Sequence, residues 1–131
     1  MITSYLVVFL GGGLGAGLRF ALSGFIDHRF NGTFPLGTLL INITGSLIIG
    51  FLSSLTDTTG KVLLSPTMRE FLMIGILGGY TTFSSFSLQT LELARSGEWT
   101  GAGLNCFLSL FLCLVAVWLG HILAQIVNHW R

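Results

Sequence analysis

Gly78-Gly79-Tyr80-Thr81-Thr82-Phe83-Ser84-Ser85-Phe86 stands inside an apolar stretch, 71–91, that carries no charged residue and is long enough to cross a bilayer. Paired glycines and successive threonines loosen a helix. Loosened backbone at membrane depth is tolerated only where it is buried in protein or lines a polar cavity, so this run is poor lipid-facing sequence and reads as the working part of the chain. Two uses of it stay open from the residues alone. A helix interrupted over about 79–82, midway between Met68 and Leu93, would expose carbonyls to a cation and amides to an anion. Glycines there could instead let two helices approach closely.

Working outward, the rest of the chain has the same character. Of 131 residues, 52% are hydrophobic and only 8% charged, far below the roughly 25% charged of a soluble domain. Further charge-free stretches cover 1–18, 30–56 and 99–130, and each supplies the roughly 20 residues a spanning helix requires. The reading is an all-α membrane protein, a single transmembrane domain over 1–131, with helices at about 4–26, 35–55, 67–94 and 100–127. Pro35 suits the first turn of the second helix, and Trp99 and Trp130 suit the two membrane interfaces. The first stretch lacks a basic start, and Arg19 stands where a small-residue cleavage site would be wanted, so it reads as a span and not as a signal peptide.

The six basic residues divide evenly across four spans: Lys61, Arg69 and Arg131 fall on one side, Arg19, Arg29 and Arg95 on the other. An excess of loop Lys and Arg is what sets orientation, and without one neither insertion is preferred. Dual topology follows as an expectation, with opposed copies pairing as an antiparallel homodimer about a two-fold axis in the membrane plane. Small-residue spacings, Gly12 to Ala16 and Gly13 to Gly17, read as helix-packing faces of the first span. Cys106 and Cys113 lie two turns apart on one helix, too far for a disulfide, and read as reduced core residues. The net charge of +1 supplies no basic patch for nucleic acid.

Nothing in the sequence suggests an enzyme. Asp27, Asp57, Glu70, Glu92 and Glu98 all fall in loops or near helix ends, and the three histidines have no ligand spacing. A missing central carboxylate also argues against ion-coupled antiport. What lies at depth is polar but neutral: Thr38, Asn42 and Thr44, then Thr81 to Ser87, then Asn105 and Ser109. Thr38 shares a helix face with Asn42, and Asn105 with Ser109. Amides and hydroxyls can donate to an anion without a permanent charge that would trap it. Phe83 and Phe86 also share a face; they could be packing, or could turn the positive edges of their rings toward an anion.

Three segments together resemble one family. Gly11-Gly12-x-x-Gly15-Ala16-x-x-Arg19-Phe20, then Pro35-Leu36-Gly37-Thr38-Leu39-x-x-Asn42-x-x-Gly45, then Gly75-x-x-Gly78-Gly79-Tyr80-Thr81-Thr82-Phe83-Ser84-Ser85-Phe86 are similar to the signatures of the Fluc (CrcB) fluoride channels, in order and over nearly the whole chain. The resemblance implies an antiparallel, dual-topology homodimer with two fluoride pores, in the inner membrane of a bacterium, lowering fluoride toxicity by passive export. It implies that ring edges of Phe83 and Phe86 and the Asn42 amide contact fluoride. Ser84, Ser85 and Ser87 would lie along a polar track that Ser109 continues, with Thr38 near the pore and Arg19 in an aqueous vestibule. The carbonyls of Gly78 and Thr81 would bind a structural Na+ at the dimer centre.

The chain departs from that pattern at Gln89, where many members carry glutamate, and at Asn105, where many carry tyrosine. The alternative function, a small dual-topology multidrug or cation exporter, calls for a glutamate in the first helix, and none stands between Met1 and Ile26.

Overall fold

The computed structural model describes residues 1–57 and 64–130, the side chain of Trp130 excepted. Lys61 and Arg131, two of the basic residues in the charge partition, lie outside the described set. The elements are helices α1 (Ile2–Phe30), α2 (Leu36–Leu55) and α3 (Pro66–Arg69), a π-helix (Glu70–Leu77), then α4 (Gly78–Tyr80), α5 (Phe83–Arg95) and α6 (Trp99–Trp130). Among the described residues there is no strand. Four spans, Ile2–Phe30, Leu36–Leu55, Pro66–Arg95 and Trp99–His129, are long and apolar enough to cross a membrane.

The helix ends follow from local chemistry. α1 runs on through Asp27, His28 and Arg29 and stops at Asn31, whose left-handed backbone (φ 43°) turns its N–H onto the Asp27 carbonyl at 3.0 Å. Asp27 also starts the next helix, because its Oδ1 accepts from the Gly37 N–H at 2.8 Å. A carboxylate from α1 thereby caps α2, which begins at Leu36 with Pro35 just outside it. Ser65 accepts from the Met68 N–H, with Pro66 in the first turn of α3. Gly97 (φ 85°) makes the turn between α5 and α6, a conformation that favours glycine.

Packing is backbone against backbone. On α1, a Cβ added to Gly11 would meet the Phe71 carbonyl oxygen at 2.7 Å, and one on Gly15 would meet that of Ile76 at 2.0 Å. A Cβ on Gly79 would lie 2.4 Å from the Gly12 carbonyl oxygen. The face of α1 laid against the third span is therefore Gly11 and Gly15. Gly13 and Gly17, read from spacing as a packing pair, have open space beyond them. Gly11 and Gly15 are four apart, the spacing of one helical face, and they lie against the main chain of the π-helix. α2 and α6 close in the same way, Gly50 against Val117 and Gly120 against Leu47.

The buried apolar set is small and mixes Leu39, Leu77, Tyr80 and Leu93 with alanines. Ile41 and Ala124 are fully buried and the remaining core includes Ala102 and Ala116, whereas Phe9, Phe20 and Phe107 are exposed. Contact through small residues is what a bundle in lipid uses, since hydrocarbon outside removes the drive to hide large apolar groups.

Candidate functional site

Two residues of the third span, Thr81 (φ −82°, ψ 158°) and Thr82 (φ −153°, ψ 119°), are extended between the helical runs Gly78–Tyr80 and Phe83–Arg95. Gly79 and Tyr80, included in the interruption read from sequence, remain helical. The glycine serves the approach to Gly12, and the threonines form the non-helical pair.

Backbone taken out of a helix inside a membrane must find other partners. Asn42 supplies two of them. Its Oδ1 accepts from the Thr82 N–H at 2.8 Å, and its Nδ2 donates to the Thr82 carbonyl at 2.9 Å. Arg19 Nη1 donates to the Thr81 carbonyl at 3.2 Å. Thr82 Oγ1 accepts from the Ser85 N–H at 3.1 Å and so caps α5, while Thr81 Oγ1 donates to the Leu77 carbonyl at 2.9 Å. Side chains from α1 and α2 and the threonines themselves thus hold the pair.

α5 starts beside a ring pair. Phe83 and Phe86 have centroids 5.2 Å apart and planes tilted by 53°. Phe83 is 78% exposed in the single chain. The amides of Phe83 and Ser84, in the first turn, have no carbonyl four residues back within α5, so this helix end carries the positive pole of the helix dipole. Both rings border a largely apolar groove of about 570 Å³, together with Asn42, Gly78, Thr81, Thr82 and Ser109. Cys106 and Cys113 are unbridged and line this groove as well, so they are not the core residues that their apolar setting suggested.

On the other side of Thr82 lies a more polar cleft of about 280 Å³, lined by Arg19, Ser23, Asp27, Thr38, Ser85 and Gln89 among others. Thr82 borders both spaces. The structure therefore gathers the sequence candidates into two groups that meet at Thr82: Arg19, Thr38 and Ser85 in the cleft, and Asn42, Gly78, Thr81, Phe83, Phe86 and Ser109 around the groove. Ser84 and Ser87 border neither; both are exposed, and Ser87 donates to the Phe83 carbonyl at 2.9 Å.

Behind the groove, Asn105 is 2% exposed and donates to Thr90 Oγ1 at 2.8 Å, and Thr90 in turn donates to the Phe86 carbonyl at 2.8 Å. Ser109 donates to Asn105 Oδ1 at 3.5 Å. This chain ties α6 to the turn that bears Phe86. His121 bridges Ser54 (2.6 Å) and Gln125 (3.0 Å), away from both spaces, which makes it a link between α2 and α6.

A family model described as "CrcB-like protein, Camphor Resistance (CrcB)" matches residues 6–121. The chain belongs to the CrcB family. It is 57% identical over 124 residues to the "Fluoride-specific ion channel FluC" of Opitutus terrae, covering 95% of this chain and 94% of that protein. It is 50% identical over 127 residues to the protein of the same name from Methylocella silvestris, covering 97% of each. A similar match, 43% over 122 residues, reaches the protein of that name in Coxiella burnetii, covering 92% of this chain and 96% of that protein.

In this CrcB chain, sequence reasoning passed over Asp27, Ser23, Thr90 and Tyr80 as site residues. Tyr80 is 8% exposed and its hydroxyl lies 2.9 Å from Thr44 Oγ1. Asp27 stands just past the first helix as the sequence delimits it, and its role has no local signal there, because the amide it caps, that of Gly37, lies beyond the turn. Thr90 gave none, because its partner lies on another helix.

Proposed function

We propose that two copies of this chain, inserted in opposite orientations, form a passive, fluoride-selective channel in the inner membrane of a bacterium, and that fluoride leaves the cytoplasm through it. The observation that carries the reading is the meeting of the Phe83–Phe86 ring pair with the capped start of α5, beside the Asn42 amide. The names of the full-length relatives point the same way.

Fluoride is small and tightly hydrated, so a selective path has to replace its water with several weak donors. Arg19 raises the anion concentration in the polar cleft. Thr38 and Ser85 offer hydroxyls there. Beyond Thr82, ring edges of Phe83 and Phe86, the first-turn amides of α5 and the second Nδ2 hydrogen of Asn42 supply partial positive charge. Ser84 and Ser87, exposed on the single chain, and Ser109 extend the track once a second copy is in place. No donor binds strongly alone, so the ion enters without being trapped.

A second copy is favoured because the groove leaves Phe83 uncovered, and the even partition of basic residues allows both insertions. A structural Na+ fits the chain at the same place. In a continuous helix the Gly78 and Thr81 carbonyls would accept from the N–H groups of Thr82 and Ser85; here those donors go to Asn42 Oδ1 and Thr82 Oγ1. Two carbonyls are thereby released from helix bonding. Thr81 also accepts from Arg19, and its second lone pair remains. Neutral oxygens suit a hard cation, and two from each copy would make four. Bound there, Na+ would neutralise carbonyl dipoles brought together by the two copies.

The test is growth: expression in a bacterium lacking its own fluoride exporter restores growth in fluoride. A correctly inserted protein that gives no protection contradicts the reading.

A further inference from the structure

The N–H of Thr81 donates to the Leu77 carbonyl at 3.0 Å, as in any helix. The next donor, Thr82 N–H, would reach the Gly78 carbonyl if the helix continued. It meets Asn42 Oδ1 instead, and the Thr82 carbonyl receives Asn42 Nδ2. The two bonds close a ring between one side-chain amide of α2 and the main chain of one residue. This takes a group that donates from one atom and accepts on its neighbour in the same plane, and at neutral pH a carboxamide is the uncharged side chain that does so. Thr82 is 8% exposed, so little water is available to replace either bond.

We infer that Asn42 is a positioning residue that determines where the third span stops being helical. By withdrawing the Thr82 N–H it releases the Gly78 carbonyl and fixes Thr82 extended, and the extended Thr82 is what lets its own hydroxyl cap α5. The rings of Phe83 and Phe86 are then set one and four residues beyond the clamp. One Nδ2 hydrogen is used in the clamp and the other stays available, so holding the backbone and donating to an anion are compatible roles for one amide. The clamp itself does not depend on the channel reading; its consequence for fluoride passage does.

Asn42→Leu keeps the approximate volume and removes both bonds. Asn42→Asp gives a pH-dependent version: a protonated carboxyl donates and accepts as the amide does, whereas an ionised one sets a second acceptor against the Thr82 carbonyl. The ionisable groups facing Asn42 and Thr82 are Arg19 and Asp27 of α1 in the cleft, Cys106 and Cys113 of α6 in the groove, and Tyr80 beside Thr44. The wild type carries all of them and is measured at the same pH values, so an acid recovery confined to Asn42→Asp comes from residue 42. The readout is the hydrogen-exchange protection factor of the Thr82 amide in the purified full-length protein. Protection falls about tenfold or more in Asn42→Leu at every pH, as loss of a buried hydrogen bond implies. In Asn42→Asp it falls at neutral pH and returns in acid, while the wild type is unaffected.

Unchanged protection in Asn42→Leu, or no acid recovery in Asn42→Asp, overturns the inference. So does free exchange of the Thr82 amide in the wild type, which needs no variant to fold. Fluoride flux in the wild type is recorded separately; a protein with a protected Thr82 that passes no fluoride keeps the clamp and loses the channel.

Discussion

Gly15 and Ile76 meet main chain to main chain, so closely that a single added methyl on Gly15 would lie 2.0 Å from the Ile76 carbonyl oxygen. Neither backbone can step aside without moving a whole helix. Gly15→Ala therefore destabilises the bundle by about 1–3 kcal/mol, the usual cost of overpacking. Gly17→Ala, two residues on with nothing within 4 Å, is neutral or stabilising by up to about 1 kcal/mol through helix propensity. Thermal denaturation in detergent distinguishes the two; equal effects would mean that α1 packs on another face.

Replacing Phe83 or Phe86 by Ile keeps apolar bulk and removes the ring edge. Fluoride flux falls about tenfold or more, equivalent to ~1.4 kcal/mol on the barrier. The oligomer stays intact in size-exclusion chromatography. If both variants conduct like the wild type, the rings serve packing alone.

Thr82→Val removes the hydroxyl that caps α5 and retains the β-branch, so stability falls by about 1 kcal/mol. Thr82→Ser keeps the oxygen and recovers most of the loss. Melting of the two variants beside the wild type checks this, and a Val variant as stable as the Ser variant would remove the cap from the account.

An even charge partition predicts both insertions in one population of cells. A single cysteine placed at the amino terminus, in a background with Cys106 and Cys113 replaced, labels about half from each side of the membrane. Uniform labelling from one side refutes dual topology, and adding lysines to the Arg29 loop should bias the ratio.

The spans were readable in the sequence because long stretches free of charge admit few other interpretations. Phase was not: Gly11–Gly15 and Gly13–Gly17 have the same four-residue spacing, and which pair meets the third span depends on how α1 is rotated against it. At the site, Asn42 was legible as an amide too costly to leave unpaired in an apolar segment. Its partner was not, since Thr82 lies 40 residues away and the bond depends on how α2 sits against the third span. The Asn105–Thr90–Phe86 connection and the Asp27 cap on Gly37 escaped for the same reason. Conversely, the hydroxyl run at Thr81–Ser85 was legible, because glycine, threonine and serine in succession have few uses at membrane depth.

The most direct measurement is efflux from liposomes reconstituted with the purified protein and loaded with both fluoride and chloride, with an ion-selective electrode for each. The account predicts that fluoride empties down its gradient within the assay while chloride stays inside. Retention of fluoride, or release of both ions at similar rates, would contradict it.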